Sequence, residues 1–292
     1  MVPKCAVPLA SMLTALPSTA LAHHATAGAG HGIEQVLIVL LVASAVGYAS
    51  GVARLWRKAG TGRGIGRLAA LSFALGWVTL AIALLSPIDD LATNSFALHM
   101  AQHEMLMVVA APLFALSKPM EAWAWALSPG GRRILSVAAG WWRRLAVPGI
   151  AWWLHAAAIW VWHIPALFVA ALGNIALHDL QHVCFFASAL LFWQSVFGRD
   201  IHARAGIAMA LLITTMLHTS ALGLLLTFSP TAWYAHDAPV RFGLTALEDQ
   251  QLGGLIMWMV GSIPYVAAAL LIAAAWLSPS RTSASPRPRT SP

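Results

Sequence analysis

Two histidines four positions apart, His99 and His103, lie in the stretch SFALHMAQHEML (95–106), which is otherwise apolar enough to sit in lipid. The same spacing recurs at His178 and His182 in IALHDLQHVCFF (175–186). On a helix, residues i and i+4 share one face with Cβ atoms about 5–6 Å apart, so both imidazoles of such a pair can converge on one ion. Imidazole suits zinc, copper, iron and nickel, and thioether favours cuprous copper. Met100 and Met107 are placed i−3 and i+4 from His103, Met216 is near His218, and Met257 and Met259 stand in the last hydrophobic run. This His/Met mixture leans towards copper. A haem-binding or quinone-linked redox membrane protein is the alternative, since paired histidines on two helices can hold iron from both faces. The plainer reading is that each ring bonds a neighbouring hydroxyl or carbonyl and only fixes helix packing.

The elements that must position these rings follow from composition. Of 292 residues, 59% are hydrophobic and only 9% charged, against about 25% charged in ordinary soluble domains. Hydrophobic runs of about 20 residues recur with short polar joints between them, the pattern of an all-α membrane bundle. Seven spans are expected, at 33–54, 68–86, 95–117, 148–171, 177–197, 206–228 and 252–276. Before them, residues 1–22 read as an export signal: Lys4, an apolar stretch, and Ala20-Leu21-Ala22 as a cleavage site. A leader, 23–32, carries His23 and His24, and cleavage after Ala22 would leave a free amine beside an imidazole. The tail from 277 is Pro/Ser/Arg-rich and expected to be disordered.

With residue 23 outside, the joints at 54–67, 118–147 and 198–205 and the tail fall on the cytoplasmic side. All but Lys4 and Arg241 of the 17 basic residues lie in those four places. This is the positive-inside asymmetry, and it predicts an N-out, C-in protein of the plasma membrane. It also explains the net charge of +7 through the lipid bilayer and not through nucleic acid.

Topology turns the histidines into a layer. At 1.5 Å per residue, His99 and His103 lie about 6 and 12 Å below the outer surface, His163 about 12 Å and His218 about 15 Å. His178 and His182 return inward beside them. The predicted metal ligands are therefore His99, His103, His163, His178, His182 and His218, whereas His155 falls in the inner half. Glu104 adjoins His103 but points about 100° away, as a proton carrier or an interhelical partner. Cys184 is expected in the core. LEDQQLGGLIMW (247–258) offers side chains to complete the pocket or to bond across helices, with Gly253 and Gly254 permitting close approach. In the preceding joint, Trp233 and Tyr234 suit an interfacial belt, and His236 and Asp237 are a possible binding pair. No nucleophile–base–orienter constellation argues for an enzyme, and a cation or proton transporter would need a polar path through the inner half, where few polar groups occur.

LHMAQHEMLMVVAAPLFALSKP (98–119), LHDLQHVCFF (177–186), LHTSALGLLLTFSPTAWY (217–234) and DQQLGGLIMW (249–258), in that order, resemble the CtaG family of cytochrome c oxidase assembly factors. The resemblance implies a role in maturing haem-copper oxidases by delivering copper to the catalytic subunit. It matches His99, His103, His178, His182 and His218 to the family's recurrent histidines and Asp249 to the acidic start of its last span. Glu104 departs from the family, which usually has an apolar residue there, and the histidine-bearing leader is not general in it.

Overall fold

The computed structural model describes residues 30–92, 94–198, 201–234 and 243–278. The expected signal segment, His23 and His24, His236 and Asp237, and the tail from 279 lie outside the described residues. Every regular element among the described residues is helical. The first hydrophobic run forms α1 (Gly30–Ala59), and α2 (Arg67–Leu85) follows after a tight joint. In that joint Gly60, Gly62 and Gly64 take positive φ (95°, 81° and 77°), a conformation that strains other residues. The chain divides into two units, 1–46 and 47–292, and the histidine pairs belong to the second.

After the short α3 (Pro87–Ala92), the third expected span is one continuous rod: α4 (Phe96–Glu104), a π-helical segment at Met105–Ala110, and α5 (Ala111–Leu116). It stops where Lys118 takes a left-handed conformation before Pro119, and α6 (Pro119–Ala126) leaves at 57°. A second π segment, Ile256–Val260, joins α12 (Ala246–Leu255) to α13 (Gly261–Leu277). Each π segment has a proline-based cause. A helical proline clashes with the carbonyl four residues back, and for Pro112 and Pro264 those residues are Val108 and Val260, both inside the π segments. A carbonyl released from the regular ladder finds a new donor: Trp193 Nε1 donates to Met107 O at 2.9 Å.

The joint expected at 118–147 contains α7 (Pro129–Leu145), set at 83° to α8 (Pro148–Trp162). At 100° per residue, Arg132, Arg133, Arg143 and Arg144 fall on one face of α7 and Ile134, Val137, Trp141 and Leu145 on the other. None of its residues is buried. Four arginines and a right-angle turn suit a helix lying along the membrane surface, not one crossing it.

The fourth expected span, 148–171, is not one helix. Pro165 pushes Ile164 to extended backbone (ψ 124°), so α8 ends with His163 as its cap and α9 (Pro165–Leu172) begins anew. The remaining helices, α10 (Ile175–Val196) and α11 (Ile201–Thr227), match their expected spans closely. Five helical stretches are long and apolar enough to cross a membrane singly, and the two bent pairs raise that to seven. α11 packs tightly on α12: a Cβ at Gly254 would stand 2.6 Å from Gly223 O, the small-residue contact of membrane helices. The core where α4, α8, α10 and α13 meet is built from residues such as Phe185, Phe192, Trp193 and Tyr265.

Candidate metal centre

α4 is fixed at its start before it delivers any imidazole. Ser95 caps it by accepting from Leu98 N, and the Asp249 carboxylate of α12 accepts from Ser95 Oγ (2.8 Å), Phe96 N and Ala97 N (3.2 Å). A carboxylate on the free N–H groups of a helix start satisfies orphan donors and complements the helix dipole. Gly253 then lets α4 close in, since a Cβ there would meet Phe96 Cδ1 at 2.4 Å. Gln250 and Gln251 serve the joint after α11: Gln250 accepts from Trp233 N (2.6 Å) and donates to Leu226 O and Thr231 O, while Gln251 donates to Ser229 O. The polar start of the last span therefore bonds across elements, the structural one of its two expected roles.

From this clamp α4 presents His99 and His103 to α10. Their ring centroids lie 4.3 Å apart. His182 stands 6.1 Å from His99 and 5.3 Å from His103, and His178 is 5.2 Å from His99 and 4.3 Å from His182. One ring nitrogen from each of His99, His103 and His182 falls within 4.8 Å of the others. These three residues are 0%, 1% and 5% exposed, and His178 is half-buried at the edge. Both nitrogens of His99 and His103, and Nε2 of His178 and His182, are buried without a hydrogen-bond partner. The Gln181 carboxamide lies against His99 without reaching hydrogen-bond geometry. Buried polar atoms in native proteins are almost always satisfied, so orphaned nitrogens converging from two helices fit a bound cation. The walls are aromatic: Phe168 is 5.0 Å from His99 and Phe185 4.5 Å from His103.

His163, at the break between α8 and α9, joins the edge of this group, 6.4 Å from His103. Its Nδ1 pairs with Ile159 O (2.7 Å) and its Nε2 faces Met100 Sδ (3.4 Å). Five of the six expected ligands are thus brought together. His218 is not among them: it accepts from Trp160 Nε1 (3.3 Å) and packs edge-on to Trp152 (5.6 Å). Its position along α11 says nothing of azimuth, and its face of α11 looks at α8 and not at α4. His155 pairs with Ser188 Oγ (3.1 Å) and stacks on Phe192, a packing role.

Glu104 is buried against Gly261, where a Cβ would come within 2.7 Å of its carboxylate. Cys184 is partly buried against the core. Tyr234 was expected in an interfacial belt and is instead 4% exposed. It stacks on Phe96 (4.7 Å), touches Phe168 (4.5 Å) and donates to His163 O (2.7 Å). Burial raises the pKa of its hydroxyl, which keeps it a donor. Nothing in the spacing of a loop tyrosine announces this roofing role, and the aromatic walls were equally hidden among many apolar residues.

The chain is 25% identical over 268 residues to Uncharacterized protein Mb0105 of Mycobacterium bovis and to Uncharacterized protein MT0111 of Mycobacterium tuberculosis. The match covers 84% of this chain, which spans 39% of the length of those relatives. No solved structure matches. The profile of the cytochrome c oxidase caa3 assembly factor family, Caa3_CtaG, matches residues 46–278, which include the clamp, both histidine pairs and the last span. The chain therefore belongs to the Caa3_CtaG family of cytochrome c oxidase assembly factors.

Proposed function

We propose that this assembly factor carries copper as cargo on His99, His103 and His182 and passes it to the catalytic subunit of a haem-copper oxidase. The observation that carries the reading is the convergence of one ring nitrogen from each within 4.8 Å, with both nitrogens of His99 and His103 and Nε2 of His182 buried and outside hydrogen-bond geometry. Transfer needs no bond-making catalysis. Half-buried His178 stands at the edge beside His182, where an acceptor's own histidines could enter and replace the three ligands one at a time, so that the ion is never bare. The arginine-rich joints support the N-out, C-in reading, in which this site would lie near the outer face of the plasma membrane.

The haem alternative fits the geometry less well. Rings whose centroids lie 4.3–6.1 Å apart, in mostly edge-on contact, leave no slot for a macrocycle between them. The test is metal analysis of the detergent-solubilised protein beside His99→Ala/His103→Ala, with an absorbance spectrum of each. Copper in the parent and not in the variant supports the reading; equal copper in both, or a strong Soret band, sinks it. In cells, deletion is expected to deplete oxidase copper while leaving haem insertion intact.

A further inference from the structure

His163 makes two contacts that one neutral imidazole cannot satisfy together. A carbonyl oxygen only accepts, so the 2.7 Å contact with Ile159 O requires the proton on Nδ1. Nε2 then presents its lone pair to Met100 Sδ at 3.4 Å, and a thioether has no proton to give. Moving the proton to Nε2 only transfers the conflict to Ile159 O. Carrying both protons would set an unpaired charge among Phe168, Phe185 and the 0%-exposed Met100. The side chains as placed are two electron-pair donors, one nitrogen and one sulfur, facing each other in an apolar pocket.

We propose that His163 Nε2 and Met100 Sδ form a second metal subsite, selective for a soft monovalent ion such as cuprous copper, beside the all-imidazole cluster. Three observations fit it. The Nδ1–H bond to a backbone carbonyl is the usual device that fixes the tautomer and aim of a metal-binding histidine. With metal–nitrogen and metal–sulfur bonds of about 2.1 and 2.3 Å, a 3.4 Å separation closes at a ligand–metal–ligand angle of about 100°, roughly 10° below the tetrahedral angle. His103 stands between the subsites, one turn from Met100 on α4, with both ring nitrogens unpartnered. It can thus be the third ligand of either, shared as an ion moves from nitrogen-only to mixed nitrogen–sulfur coordination. Thioether ligation favours the cuprous state, so the mixed subsite discriminates by oxidation state where the all-imidazole cluster does not. The inference rests on the proposed function for the identity of the ion and not for the existence of the mixed donor pair.

The test is copper K-edge X-ray absorption on the purified full-length protein loaded anaerobically with Cu(I), with Met100→Leu and Met107→Leu alongside. Leucine conserves the volume of methionine in a core, and Met107 serves as a sulfur elsewhere on the same rod. A sulfur shell at about 2.3 Å in the parent, kept by Met107→Leu and lost by Met100→Leu, is the expected result. Copper bound through nitrogen alone in the parent overturns the subsite and leaves the imidazole cluster standing, a reading that needs no variant to fold. A sulfur shell that survives Met100→Leu also overturns it. Failure of the parent to bind copper removes both this inference and the proposed function.

Discussion

The Asp249 carboxylate on α12 holds Ser95 Oγ at 2.8 Å and, through Phe96 N and Ala97 N, the first turn of the helix that carries both His99 and His103. A residue 154 positions away in sequence therefore sets the height and rotation of the metal-facing rod. Its own side chain reaches none of the rings.

Asp249→Ala removes three hydrogen bonds from a buried helix start. Loss of a helix cap costs about 1–2 kcal/mol, and the charged acceptor raises that towards about 3 kcal/mol. Thermal unfolding in detergent is expected to begin at a lower temperature, and copper affinity to fall with it. An unchanged melting temperature would mean the clamp contributes nothing.

Gly254→Ala forces a methyl group to within 2.6 Å of Gly223 O and Thr227 Oγ1. Backbone cannot yield as a flexible side chain can, so overpacking of about 1–3 kcal/mol is expected. Gly130→Ala on α7, where a Cβ meets nothing within 4 Å, is the neutral control. Comparable thermal stability of the two variants would refute the close approach of α11 and α12.

His218→Ala and His155→Ala are expected to retain parental copper, because their partners are Trp160 and Ser188 and not the cluster. His182→Ala is expected to lose most of it. Copper content by mass spectrometry of the purified proteins decides. A His218 variant depleted as deeply as the His182 variant would show that the layer, and not the local cluster, is the binding unit.

Orientation can be read from Thr61, exposed in the joint between α1 and α2. On a background lacking Cys5 and Cys184, Thr61→Cys should react with a membrane-impermeant maleimide in inverted vesicles and stay unlabelled in intact cells. Labelling in intact cells would reverse the N-out assignment and move the histidines to the other face.

Histidines four apart, apolar runs and the segregation of arginine are local patterns, so the helical membrane fold, the two histidine pairs and most span limits are legible in the sequence. Two features lie inside those limits: Pro165 divides the fourth span, and α7 is an amphipathic helix within the joint at 118–147. Both follow from residues visible in the chain, but only rotation around an axis tells a crossing helix from one lying flat.

Residue spacing along each helix sets the height of a residue along that helix, because rise per residue is nearly constant. Which histidines meet was decided by the tertiary structure, because height says nothing of azimuth. His163 turns to Met100 at a helix break, His218 turns to Trp160, and Tyr234 leaves its loop to roof the site. Those choices depend on how the helices rotate against one another, and that rotation is set by contacts such as Gly254 on Gly223 and Asp249 on Ser95 between residues remote in the chain.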